Sequence, residues 1–175
     1  SGHYGNYVPN PVFSLANILS SMKDDTGKVL IQHFYDGITV SAEEKETLDA
    51  VPDDSDALNK RLGIAQAEGV AGSYQEALQY PTLNVRQIET SWKGAQPKTV
   101  IPEFATASID VRLVVETDGK VQLDKVKAHI ENLGYQILDR DPTDQERLDY
   151  SKLVKFTRSD GINAFRTDLN SGLLP

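Results

Sequence analysis

An eleven-residue stretch, residues 105–115, alternates between apolar and mostly polar residues. Alternation with a period of two over this length predicts a β-strand that rests one face on a hydrophobic core. The opposite face carries Asp110 and Arg112, which point the same way because they are two residues apart. A loop with Thr99 and Pro102 leads into this strand. A polar loop that feeds a strand presenting an arginine can bind an anionic group. The predicted core face consists of Ala105, Ala107, Ile109, Val111, Leu113 and Val115.

Size and charge limit what the chain can be. Its 175 residues fit one domain of ordinary size, and an apolar content of 39% predicts a buried core. The net charge of −8 argues against nucleic acid and against an anionic membrane surface as partners. No apolar run approaches the ~18 residues that a membrane-spanning helix needs.

Several classes of catalytic site are missing from the sequence. The chain has no cysteine, which excludes disulfides and thiolate metal sites. Its three histidines, His3, His33 and His129, are scattered, which argues against a zinc site built by this chain alone. No zinc-protease, nucleophile-elbow, phosphate-loop or dinucleotide motif occurs. The residues alone therefore indicate an α+β domain without a recognisable catalytic constellation, and they do not fix a compartment.

Cap, turn and periodicity signals predict a series of helices and strands. Asn10 and Pro11 begin the first helix as N-cap and first helical residue. The alternation slips between Val85 and Ile88, which predicts a β-bulge. The other predicted elements are a short strand or extended segment at 28–34; an acidic helical block at 41–80 with helices at 41–50, 53–67 and 73–80; a strand at 82–92; a helix at 123–133; a strand at 135–139; a loop or short helix at 142–151; and an extended segment at 153–157.

The main elements follow the order helix, strand, strand, helix, strand. One strand ahead of residue 1 would complete a β-α-β-β-α-β unit. The predicted fold class is therefore α+β, with an antiparallel, ferredoxin-like split βαβ sheet, two main helices and a helical insertion at 41–80. Because the chain lacks a starting methionine and stops without an end signal, we expect a segment from the interior of a larger protein.

Ordered short blocks along residues 1–140 resemble a known family. Together they are similar to the lid, or dimerisation, domain of zinc-dependent dipeptidases of the carnosinase type, family twenty of the metallopeptidases. The blocks are Ser1-Gly2-His3-Tyr4-Gly5-Asn6, Asn10-Pro11, Gly27-Lys28-Val29-Leu30-Ile31, Phe34-Tyr35-Asp36, Tyr80-Pro81-Thr82-Leu83-Asn84-Val85, Ile88-Glu89, Gly94, Lys98-Thr99-Val100-Ile101-Pro102 and Ala107-Ser108-Ile109-Asp110-Val111-Arg112-Leu113-Val114.

The resemblance implies a lid that is inserted into a catalytic domain with two zinc ions, forms the homodimer interface and helps to bind a dipeptide substrate. It assigns substrate binding to the Thr99 hydroxyl and to Arg112, the arginine holding the terminal carboxylate. The family's lid histidine falls ahead of Ser1, so His3 does not take that role. The zinc ligands and the general base belong to the catalytic domain, so no catalytic or metal residue is assigned in this chain.

The resemblance also implies a domain division. Residues 1–150 form the lid, and residues 151–175 lead back to the catalytic domain. The isolated chain is expected to be inactive, and the cytoplasm is the predicted compartment.

Other interpretations stay open at this stage. Arg112 can form an ordinary surface ion pair with Asp110, and Thr99 can be a loop hydroxyl that bonds the backbone. The chain can be a stand-alone ferredoxin-like module for interaction or ligand binding. It can also be the lid of a related aminoacylase or amidohydrolase.

Overall fold

The computed structural model describes residues 3–94, 99–159 and 161–165. Within these ranges the chain forms six helices and four strands. Their order confirms the predicted α+β class, with the main series helix, strand, strand, helix, strand. No helix in these ranges is long and apolar enough to cross a bilayer. In chain order the elements are α1 (Pro11–Ser20), α2 (Ala42–Asp49), α3 (Ser55–Leu62), α4 (Tyr74–Ala77), β1 (Thr82–Thr90), β2 (Ala105–Arg112), α5 (Gly119–Asn132), β3 (Gln136–Leu138), α6 (Asp144–Asp149) and β4 (Leu153–Lys155).

The strands β1 and β2 form an antiparallel pair that carries the alternating stretch. Thr82 lies opposite Arg112 at one end of the pair, and Thr90 lies opposite Ala105 at the other. The register shifts between Val85 and Gln87, which confirms the predicted bulge. The second strand ends at Arg112 and not at residue 115, because residues 114–117 form a turn in which the Thr117 amide donates to the Val114 carbonyl.

The remaining strands form a separate sheet, which corrects one detail of the prediction. Strand β3 pairs with β4 in parallel, and in the described residues it does not join β1 and β2 in one antiparallel sheet. The segment 153–157 was predicted only as extended. The helix α6 returns the chain between β3 and β4, and such a crossover allows two strands to run in the same direction.

The core lies between α1, α5, the loop that follows α1 and one face of the β1–β2 pair. The short strand or extended segment predicted at 28–34 is wrong for residues 32–34, which belong to the turns at 32–37, and its strand pairing is limited to an isolated bridge between Lys23 and Val29. Val29, Ile31 and Phe34 enter the core from this irregular backbone. An apolar run alone does not distinguish a strand from a buried turn. The buried apolar residues are Ile18, Met22, Val29, Ile31, Phe34, Leu83, Val126 and Ile130.

Caps explain where the helices begin and end. The Asn10 side chain accepts from the Val12 amide, and Ser41 forms the predicted capping box with Glu44. The third helix ends at Leu62 instead of continuing to residue 67, because Gly63 takes a left-handed conformation with φ of +70°. The helix after Ser73 is also shorter than predicted and ends before residue 80.

The helical block (residues 41–80) packs lightly. None of the residues of α2, α3 or α4 is buried. One cross-link is the ion pair between Lys23 Nζ and Glu68 Oε1, at 2.9 Å. The Gln75 amide also donates to Asp53 within the block.

One carboxylate of α6 gives a prediction about pH. Glu146 accepts hydrogen bonds from Arg140, at 2.8 Å, and from the Thr143 amide of a capping box. The Arg140 hydrogen bond is the main reason that the pKa of Glu146 falls from 4.5 to about 2. A carboxyl whose pKa is lower in the folded state stabilises that state above its unfolded pKa. This stabilisation is lost as the pH falls from about 4.5 towards 2.

We therefore expect Arg140→Gln to raise the pKa of Glu146 towards its ordinary value, measured by NMR titration of its side-chain carboxyl. Arg147→Gln removes a neighbouring exposed guanidinium and should leave that pKa unchanged. A Glu146 midpoint that stays near 2 in Arg140→Gln would contradict the assignment.

Candidate functional site

Arg112 is the last residue of β2, and its side chain is 83% exposed. Its Nε lies 3.9 Å from Asp110 Oδ2, on the face where the sequence predicted both side chains. An ion pair this long between exposed groups contributes little to stability. Asp110 is its ionic partner among the described residues, and the guanidinium remains accessible to an incoming carboxylate.

Thr99 lies in the connection between β1 and β2 and is exposed. The Ser91 amide donates to the Phe104 carbonyl at 3.1 Å, and the Glu103 amide donates to Ser91 Oγ at 2.8 Å. These bonds continue the strand pairing beyond Thr90. Thr99 therefore lies in the loop at the Thr90–Ala105 end of the hairpin, away from Arg112. Residue 98 of the same motif lies outside the described residues.

The structure does not bring Thr99 and Arg112 together within one chain. The Thr99 loop enters β2 at Ala105, and Arg112 ends β2 seven residues later. At the rise of an antiparallel strand, seven residues correspond to about 23 Å. The two predicted substrate contacts therefore lie at opposite ends of the β1–β2 pair.

The three histidines occupy separate surroundings. His3 is exposed, and His33, at φ of +64°, places Nδ1 2.7 Å from Asp36 Oδ2. His129 is half-buried between α5 and α1, with Nε2 2.8 Å from Ser21 Oγ. Since the Ser21 hydroxyl donates to a backbone carbonyl, the His129 ring donates to Ser21. Burial lowers the pKa of His129.

The described residues do not fit a metal centre. Nowhere in these ranges do three His, Cys, Asp or Glu side chains come close enough to hold an ion.

A cavity of about 390 Å³ beside the start of β1 is a feature that the sequence analysis missed. It lies between the helical block and the strand, and we refer to it as the β1 cavity. Leu58, Leu62 and Ile64 form part of its wall, and residues 82–84 of β1 form another part. The spacing of Leu58 and Leu62 was visible in the sequence. The closure of the block against β1 was not, because it depends on contacts between segments distant in the chain.

The ion pair of Lys23 and Glu68 lies beside this cavity, over Gly27. Gly27 has φ of +88°, and a Cβ there would overlap the side chain of Glu68. Glycine thus permits both the turn and the approach of Glu68.

Two solved structures are similar to this chain in fold. A metallo-carboxypeptidase of the M20 family from Sulfolobus solfataricus is 32% identical, with a TM-score of 0.62 over 75% of this chain and 31% of that one. Human carnosine dipeptidase 1 is 25% identical, with a TM-score of 0.66 over 77% of this chain and 29% of that one. Each likeness covers less than a third of the solved chain.

Curated relatives agree with the structural comparison. The β-Ala-His dipeptidase of Mus musculus is 29% identical over 75% of this chain and 27% of its own length. The Cys-Gly metallodipeptidase of Candida albicans is 27% identical over 74% of this chain and 27% of its own length. The chain thus spans about a quarter of the length of these relatives. The family described as "Peptidase dimerisation domain" matches residues 1–137, and the chain belongs to that family.

Proposed function

We propose that this chain is the lid and dimerisation domain of a metal-dependent dipeptidase. Membership of the peptidase dimerisation domain family supports this role, as do relatives named as dipeptidases and metallodipeptidases. The same names favour a dipeptidase over an aminoacylase. Two zinc ions would be held by residues outside those described and would polarise the peptide carbonyl and activate water. Residues 1–150 would form the lid, and residues 151–175 would lead back to the catalytic domain.

The exposed Arg112 is the observation that carries the substrate assignment. A guanidinium can donate two parallel hydrogen bonds to one carboxylate, which fixes the orientation as well as the position of a peptide's terminal group. The loose contact with Asp110 at 3.9 Å leaves these donors available. Arg112 would therefore bind the free carboxylate of the dipeptide and orient the scissile bond towards the metals.

Thr99 would reach the same substrate from a second copy of the chain. The separation of about 23 Å along β2 keeps the Thr99 loop away from Arg112 of its own chain. A dimer that places the loop of one subunit at the Arg112 end of the other would join the two groups at one carboxylate. Dimerisation would then be needed to complete the substrate site.

A mixed dimer tests this arrangement in the enzyme that carries the domain. One subunit is wild type, and the other carries Thr99→Val and Arg112→Gln together. If each site draws both residues from one chain, one site stays intact and the mixed dimer keeps about half of the wild-type kcat/KM. If each site draws them from two chains, neither site is intact.

The proposal therefore expects the mixed dimer to fall well below half of the wild-type value. Losing one hydroxyl contact should lower kcat/KM by about tenfold, and losing the guanidinium should lower it more. The control is a mixed dimer of one wild-type subunit and one subunit that carries Asp36→Asn, an exposed substitution away from β2. It passes through the same purification and should keep nearly full kcat/KM. Half activity in the double-variant mixture would refute the shared site.

A further inference from the structure

The β1 cavity is adjacent to Arg112 across the strand pair. Thr82 and Asn84 line the cavity, and they lie opposite Arg112 and Asp110 in the register. Residues directly opposite each other point to the same face, and neighbouring strands are only about 4.8 Å apart. Leu83, which points to the opposite, buried face of β1, lines the cavity too. The cavity therefore lies along the start of β1, one strand away from Arg112.

The walls of the β1 cavity suit an uncharged, apolar group. Leu58, Leu62 and Ile64 supply aliphatic surface. Lys23 and Glu68 are the charged residues that line it, and they pair with each other at 2.9 Å. A charged group entering this space would lose water without gaining an unpaired partner, which is unfavourable.

The volume of the β1 cavity is large enough for a large amino-acid side chain. At about 390 Å³ it falls within the range of small-molecule sites, roughly 300–1,000 Å³. A glycine, which has no side chain, would leave it unfilled, whereas a leucine or phenylalanine side chain would cover part of its apolar wall. In an amino acid the side chain and the carboxylate leave the same Cα, so a carboxylate site and a side-chain pocket must be close neighbours.

We propose that the β1 cavity receives the side chain of the substrate's C-terminal residue and selects large apolar side chains. This inference rests on the proposed function, because it takes Arg112 as the group that binds the adjoining carboxylate. The helical block would then determine which dipeptides the enzyme prefers.

The test compares kcat/KM for three dipeptides, Ala-Leu, Ala-Gly and Ala-Asp, in the enzyme that carries the domain. The wild type should prefer Ala-Leu over Ala-Gly by about tenfold, and Ala-Asp should be the poorest substrate. Ala77→Leu extends a side chain from a residue that lines the cavity. It should remove most of the Ala-Leu preference and leave kcat/KM for Ala-Gly within about twofold.

Matched variants keep the result interpretable. Ala128→Leu makes the same substitution at an exposed position of α5 that does not line the cavity, and it should leave the preference intact. Leu62→Ala, at a position 60% exposed, removes apolar wall without disturbing the core and should also lower the preference. This second variant decides the matter if Ala77→Leu does not fold.

The outcomes separate the two proposals. If Arg112→Gln leaves all three dipeptides unaffected, the proposed function fails. If Arg112→Gln impairs all three but the Ala-Leu to Ala-Gly ratio is the same in the wild type, Ala77→Leu and Leu62→Ala, the proposed function stands and the cavity inference is overturned. A wild type that hydrolyses Ala-Leu and Ala-Gly equally well also overturns it.

Discussion

Replacing Arg112 with glutamine in the complete enzyme should lower kcat/KM for dipeptides by about 100-fold. A hydrogen bond to a charged group contributes ~1.5–3 kcal/mol, and a loss near the upper end of that range corresponds to about 100-fold. Arg112→Lys should recover only part of this loss, because an ammonium keeps the charge but cannot form the paired hydrogen bonds of a guanidinium.

The carboxylate itself provides the sharpest control for this prediction. A dipeptide amide lacks the group that Arg112 would bind, so its slower hydrolysis should be nearly the same in wild type and Arg112→Gln. Arg86→Gln changes another exposed arginine of the same strand pair and should leave both substrates unaffected. Equal losses for the free dipeptide and its amide would show that Arg112 acts by some route other than carboxylate binding.

Replacing Phe34 with alanine should reduce the free energy of unfolding of the isolated domain by about 3–5 kcal/mol. Its ring is only 1% exposed and contacts Tyr35 edge to face, with ring centroids 5.3 Å apart. Removing it leaves a hole that the turn at residues 31–37 and the helix α5 must either tolerate or collapse into. Urea denaturation followed by circular dichroism measures the loss.

Phe13 offers a matched comparison for the core prediction. It is the same residue type on α1 but is 72% exposed, so Phe13→Ala should change the free energy of unfolding by no more than about 0.5 kcal/mol. Similar losses in the two variants would mean that the core is not centred where the structure places Phe34.

Local signals predicted the fold best where one short segment determines its own structure. The Asn10 cap, the Ser41 capping box and the bulge after Val85 each depend on residues only a few positions apart, and all three are confirmed. Residues 32–34, the end of the strand or extended segment predicted at 28–34, form a turn instead, because apolar residues there are equally compatible with a strand and with a buried turn. The β3–β4 pairing depends on contacts between distant segments, which sequence periodicity does not report.

The candidate site, too, was predictable where one segment determines it and not where it depends on contacts between distant segments. Placing Asp110 and Arg112 on one face required only the two-residue period of a strand. The separation of Thr99 from Arg112 follows from the antiparallel pairing of β1 with β2, because the loop that joins the two strands lies at the end of the pair opposite to the last residue of β2. The β1 cavity depends on how the helical block closes against the strand, and no local pattern encodes that contact.

The light packing of the helical block has a consequence for how such a lid can change over time. Its helices contribute no buried side chain, so substitutions among its residues that line the β1 cavity alter that wall without weakening the core around Phe34. Folding and selectivity would then draw on separate sets of residues. Related lids could acquire new preferences through changes in this block alone, and a designer could vary it extensively while leaving the scaffold untouched.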